Sequence, residues 1–247
     1  MTNIIKADLR RILEKRSVQL ILVLCLGLSV FDALWDKHHF WNDFVFTVHQ
    51  RNLIDGASTI FLGLVLFSAV YADAFRARSL QAIIGHGLSR PMVIAAKILD
   101  CAILTIGIYA CYFVFQLVLS LATGASLDDF DRTILFFSAV CSAYVVTCCS
   151  SLAAAVLFAT DNVALSVFAQ LALLMIIPFV LELTGTLVFF HNNHIADYYI
   201  TGFSERAFTG MVLDGSGFGT LLLGTTLYIG LAWLLTFLIF RKKELEL

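Results

Sequence analysis

The stretch ADAFRARSLQAIIGHGLSRPMVIAAK, residues 72–97, lies between two long apolar runs and decides how the rest of the chain is read. It is too polar to cross a bilayer and too patterned for a simple turn. Ala74, Ser79, Ala82 and Ile83 allow helix, Ile83 and Ile84 give that helix an apolar face, and Gly85 and Gly87 stop it. Ser89 then caps a new helix, with Arg90 and Pro91 in its first turn. The pattern predicts a short amphipathic helix held between two membrane spans, a part suited to being pushed or pulled from the aqueous side.

The flanking runs set the fold class. Of 247 residues, 60% are hydrophobic and 14% are charged, where soluble domains carry about 25% charge. The apolar residues come in runs near the roughly 20 residues that a helix needs to cross about 30 Å of hydrocarbon. The expected fold is all-α: a polytopic membrane protein with six transmembrane helices. A formal net charge of -2 without an arginine-rich stripe excludes nucleic acid as a partner. Cys25, Cys101, Cys111, Cys141, Cys148 and Cys149 all fall inside apolar runs, where they behave as small hydrophobes rather than a disulfide framework. The adjacent Cys148 and Cys149 point to different faces of a helix. The first sixteen residues are too charged for a cleavable signal peptide, so the first span is expected to stay as an anchor.

Working outward, NIIKADLRRILEKR, residues 3–16, places Ile5, Leu9, Ile12 and Leu13 on one helical face, with Lys6, Arg10, Arg11 and Glu14 on the others. Residues 1–17 are therefore read as an interfacial helix, with Arg10 and Arg11 among anionic headgroups. Residues 18–247 form the six-span domain, with spans at about 18–35, 57–74, 93–122, 133–159, 163–181 and 218–240. A polar stretch, 36–55, joins the first two. Asp128, Asp129 and Asp131 precede the fourth span, where carboxylates cap free amides. Thr160, Asp161 and Asn162 make a tight turn, and Pro178 is placed to kink the fifth helix. The outer segment, 182–217, contains an apolar patch at 183–190 that is too short to cross a bilayer but long enough to dip into one.

Basic residues fix the expected orientation. One side holds Lys6, Arg10, Arg11, Lys15, Arg16, Arg76, Arg78, Arg90, Lys97, Arg241, Lys242 and Lys243; the other holds Lys37, Arg51, Arg132 and Arg206. Twelve against four, accounting for all 16 Lys and Arg, places both termini and the 75–92 loop in the cytoplasm of a bacterial plasma membrane protein.

Chemistry-bearing motifs are sparse. No phosphate-binding Gly-x-x-x-x-Gly-Lys-Ser/Thr loop, Gly-x-Ser-x-Gly elbow or His-Glu-x-x-His pair occurs, so the chain is not expected to be an enzyme or to bind a cofactor or metal itself. His191 and His194 could share a metal on one helical turn but lack a third ligand nearby. Asp32, Asp73, Asp100 and Glu182 sit near span ends, with Asp73 in reach of Arg76 and Asp100 in reach of Lys97 at i, i+3. Spans four and six carry no charge within these bounds, which argues against a proton-coupled carrier.

The segment from Phe75 to Arg90, followed by Lys97, resembles the loop between the second and third spans of ABC exporter permeases. The similarity is to the bacitracin- and lantibiotic-resistance branch of the second bacterial permease type. Arg78, Gly87, Ser89, Arg90 and Lys97 match that pattern; Ser79 stands where Thr is usual, and Asp73 where Glu is frequent. The resemblance extends loosely to the whole layout, with an elbow helix, six spans and a short basic tail.

It implies a permease subunit whose cytoplasmic coupling helix seats in a separate ABC ATPase subunit that carries ATP and magnesium. The coupling residues would be Arg76, Arg78, Ser79, Leu80, Ile83, Ile84, Gly85, Gly87, Ser89 and Arg90. Lys97, with Arg10 and Arg11, would anchor the lever to the membrane. A second permease copy, identical or related, and membrane lipid are the other implied partners. The implied cargo is amphipathic or lipid-like, such as an antimicrobial peptide. An ATP-independent carrier, or a peptide-immunity or sensor protein, is the alternative.

Overall fold

The computed structural model describes residues 2–39, 43–76, 90–188, 199–213, 215 and 217–242. Every regular element among them is helical. Six helices are long and apolar enough to cross a membrane, spans one to six: Arg16–Trp35, Phe46–Ala72, Pro91–Thr123, Asp129–Thr160, Val163–Thr184 and Gly217–Ile239. Two further helices, Thr2–Leu13 and Ile200–Leu213, pack on this bundle.

Span four is the centre of the fold, buried along most of its length, while span two is half buried and the other four are largely open to their surroundings. Its sequence explains this. Ser138, Ala139, Ser142, Ala143, Ser150, Ser151, Ala153 and Ala154 are all buried, and small side chains let neighbouring helices approach closely where no hydrophobic effect drives them together. Span two makes such an approach at Gly63, where a Cβ would lie 2.8 Å from Leu174 Cδ1 of span five.

The turns follow the sequence signals. Asp128 caps span four by accepting from the Asp131 amide at 2.7 Å. Asp161 takes a left-handed backbone (φ 54°) to end that helix, and Asn162 caps the next by accepting from the Leu165 amide at 3.2 Å. Gly124, with φ 84°, makes the turn after span three.

Helix extends further than its apolar runs. Residues 43–76 are continuously helical, so much of the stretch read as a polar connection belongs to the same helix as span two. Its polar residues are matched from neighbouring spans: Thr47 and Gln50 are buried, and Asp55 is bonded by two serines of span four. Residues 183–188 of the apolar patch continue the helix of span five; 189–190 lie outside the described residues.

Pro178 is accommodated by a π turn, Ala172–Ile176, rather than by an abrupt break. The widened turn sends the Ile177 amide to the Ala172 carbonyl, so the donor due to Leu173 is Pro178, which has no N–H. The Tyr199 hydroxyl donates to the Leu173 carbonyl instead, at 2.6 Å. Burial pushes the Tyr199 phenol upward, which keeps it a donor.

Candidate functional site: the roots of the 72–97 segment

The helix Thr2–Leu13 lies against the bundle rather than apart from it. Ile12 is fully buried and Leu9 packs on the main core. Asp8 precedes Ile12 by one turn and so shares its face, bringing a carboxylate to the packed side of the helix. Asp8 Oδ2 accepts from Lys97 Nζ at 2.5 Å. Asp8 Oδ1 lies 3.2 Å from Arg11 on the same helix.

Lys97 is 3% exposed. An ammonium so covered requires counter-charge, and it has two: Asp8, and Asp100 at 3.6 Å. The Lys97–Asp100 proximity expected from i, i+3 spacing is present. Asp8 reaches Lys97 because the amphipathic helix lies over the root of span three. Arg10 is exposed and pairs with Glu14 at 2.9 Å.

The other root is tied to the same helix. Lys15, just beyond its end, donates to Asp73. The Asp73 carboxylate faces Lys15; the Arg76 side chain, in reach of Asp73 by i, i+3 spacing, lies outside the described residues. Residues 73 and 97 frame the opening stretch, so one short helix and its following turn hold both roots through Lys15–Asp73 and Asp8–Lys97. Arg76 ends the helix Asp73–Arg76 and Arg90 begins the helix Arg90–Thr123. Arg78, Ser79, Leu80, Ile83, Ile84, Gly85, Gly87 and Ser89 lie outside the described residues.

From Lys97 a polar seam runs the length of span three. Lys97, Cys101, Thr105, Tyr109, Tyr112, Gln116, Ser120 and Thr123 are all buried, at helical spacings of three or four. Asp100 flanks the seam, fully buried, and neither carboxylate oxygen has a hydrogen-bond partner among the described residues.

Further along, Tyr112 meets Ser29 of span one and accepts from Ser58 of span two at 3.3 Å. Gln116 donates to Ser29 Oγ at 3.2 Å, and Gln50 reaches Asp32 at 3.2 Å. Tyr109 bonds Thr59 at 3.0 Å. Such pairs fix the register of spans one, two and three. Each contributes roughly 0.6 kcal/mol and at most about 1.7.

A second charged cluster sits at the opposite end of the bundle. Asp55 Oδ1 accepts from Ser138 at 2.6 Å and Ser142 at 2.8 Å, while Oδ2 pairs with Arg51 at 3.2 Å. The Arg51 guanidinium also lies 3.9 Å over the Phe208 ring. This cluster borders a cavity of about 320 Å³ between spans two, four and five and the helix Ile200–Leu213.

Among the described residues, no group of three His, Cys, Asp or Glu is arranged to hold a metal; His191 and His194 lie outside them.

Sequence reasoning missed Asp8, the seam on span three and the Asp55 cluster. The signals were an acid on an apolar face and polar residues recurring every three or four positions through an apolar run. The chain matches no protein-family model and no curated protein.

Proposed function

We propose that this chain is the membrane-spanning permease subunit of an ATP-driven exporter. A separate ATPase, which carries ATP and magnesium, grips the segment from Arg76 to Arg90. The observation that carries the reading is the double attachment of the amphipathic helix: Asp8 to Lys97 at one root of that segment, Lys15 to Asp73 at the other.

A displacement of the segment drags both roots. Because Lys97 begins the buried seam of span three, the displacement is passed to Tyr109, Tyr112 and Gln116, and through them to spans one and two. The chain itself makes and breaks no bonds. Two copies, or one copy with a relative, would surround the pathway, and the cargo is amphipathic or lipid-like, with an antimicrobial peptide as one instance. The resemblance of Arg78, Gly87, Ser89, Arg90 and Lys97 to the exporter pattern and the twelve-to-four charge asymmetry support a cytoplasmic position for the segment.

The test is affinity purification in mild detergent. The account expects a nucleotide-hydrolysing subunit to co-purify with the chain. A monomer that transports without any such partner contradicts it.

One observation favours a second reading, an ATP-independent carrier: the buried carboxylate of Asp100 at the start of a polar seam, which faces Lys97 at 3.6 Å but has no hydrogen-bond partner among the described residues. Transport driven by a proton gradient alone, and abolished by Asp100→Asn, would select that reading.

A further inference from the structure

The contacts that hold the helix Thr2–Leu13 on the bundle each have a second partner within reach. Leu9 and Ile12 pack on the main core, but the same apolar stripe, flanked by Lys6, Arg10 and Arg11, suits a membrane surface equally. Lys15 and Asp73 form a partly open pair, and such pairs contribute little. The contact that decides where the helix sits is therefore Asp8–Lys97.

Two acids and two bases meet there. Besides Lys97, Asp8 has Arg11 at 3.2 Å on its own helix, so it keeps a counter-charge when Lys97 is withdrawn. Lys97 has Asp100 at 3.6 Å, three positions further along span three and just beyond hydrogen-bond reach. Asp100 is fully buried, and neither of its oxygens has a hydrogen-bond partner among the described residues. A shift of the ammonium by less than about 1 Å closes that gap. A buried ammonium without counter-charge is strongly unfavourable. Asp100 removes that penalty and gains the donor it lacks.

We propose that the helix Thr2–Leu13 is a detachable clamp on the roots of the 72–97 segment, with two resting places, the bundle and the membrane surface. As the helix lifts, Lys97 passes from Asp8 to Asp100 and Asp8 retires onto Arg11, so neither state strands a charge. Asp100 is the positioning residue that makes release possible. That the helix lifts in step with an ATPase stroke rests on the permease reading; the exchange of partners rests on the four charges.

The experiment is hydrogen exchange of residues 2–13, followed by mass spectrometry, on the full chain in phosphatidylcholine nanodiscs. Neutral lipid holds the lifted helix loosely, and a twelve-residue helix is marginal on its own, so its amides exchange once it leaves the bundle. Asp100→Asn deprives Lys97 of its second partner and should slow that exchange about ten- to a hundredfold. A counter-ion that merely supports the docked arrangement gives the opposite sign. Asp8→Asn should speed exchange, and in that background Asp100→Asn should no longer slow it, because Lys97 then has no first partner to leave. Should Asp100→Asn fold poorly, Asp100→Ser, also uncharged and smaller, carries the comparison.

Unchanged or faster exchange in the Asp100 variant overturns the proposal. So does equal slowing with and without Asp8, or slowing that extends to the amides of span four, which would be a global effect. The nanodiscs contain no ATPase, so failure of that partner to co-purify defeats the permease reading without touching this result, and a failure here leaves that reading standing.

Discussion

Asp8 and Lys97, 89 positions apart, meet at 2.5 Å and join the first helix of the protein to the root of its third span. Lys97 is nearly sealed from solvent, and Asp8 is 15% exposed. Removing one member of such a buried pair strands a charge at a cost of about 3–5 kcal/mol. Asp8→Asn and Lys97→Met should each lower the thermal midpoint in detergent markedly. The double variant should lose clearly less than the sum, and strict additivity in that double-mutant cycle would show that the pair does not interact.

Lys15 and Asp73 form the more open attachment, 24% and 39% exposed. Exposed pairs contribute roughly 0–1 kcal/mol, so exchanging the two charges, Lys15→Asp with Asp73→Lys, should leave stability within about 1 kcal/mol of the original. Transport should fall in Asp73→Lys alone and recover in the exchange. A single reversal without effect on transport would remove this contact from the coupling route.

The Tyr199–Leu173 bond makes a separate prediction about the π turn. Tyr199→Phe leaves the Leu173 carbonyl without its donor and should destabilise by about 1–2 kcal/mol. With Pro178→Ala in place the helix regains an N–H at that position, so the same Tyr199→Phe change should cost much less. An equal cost in both backgrounds, read by chemical denaturation, would break the link between the proline and the phenol.

Tyr112 tests the seam. Tyr112→Phe removes the contacts to Ser29 and Ser58 while keeping the ring and should cost about 0.5–1.5 kcal/mol. Val114→Ala, two residues further on and on the exposed face of the same helix, should cost less. The comparison separates hydrogen bonding from general disturbance of span three.

How much of this was legible depends on the kind of signal each residue gives. The six spans follow from apolar run length, and the caps at Asp128 and Asn162 from local chemistry, because both are decided by neighbours in sequence. Span two shows the limit. Thr47, Gln50 and Asp55 look like loop residues until Ser138, Ser142 and Asp32 supply partners from other helices. The amphipathic helix shows it again: Ile12 and Leu9 fit a membrane surface as well as a protein one, and only the position of Asp8 on the apolar side distinguishes the two. The π turn before Pro178 was not legible, since a kink and a widened turn relieve the same missing N–H. Of the ten coupling residues, eight lie beyond the described residues, and the other two, Arg76 and Arg90, stand where the described helices Asp73–Arg76 and Arg90–Thr123 border them.

The central claim, that a separate ATPase drives this chain through the segment from Arg76 to Arg90, is tested most directly by the ratio of export to ATP hydrolysis. The assay uses vesicles containing the chain and its co-purifying ATPase. With Arg78→Glu and Arg90→Glu together, the account predicts that hydrolysis continues while export falls to background. Export that proceeds at the unaltered rate per ATP, or that persists after the ATPase is stripped away, contradicts it.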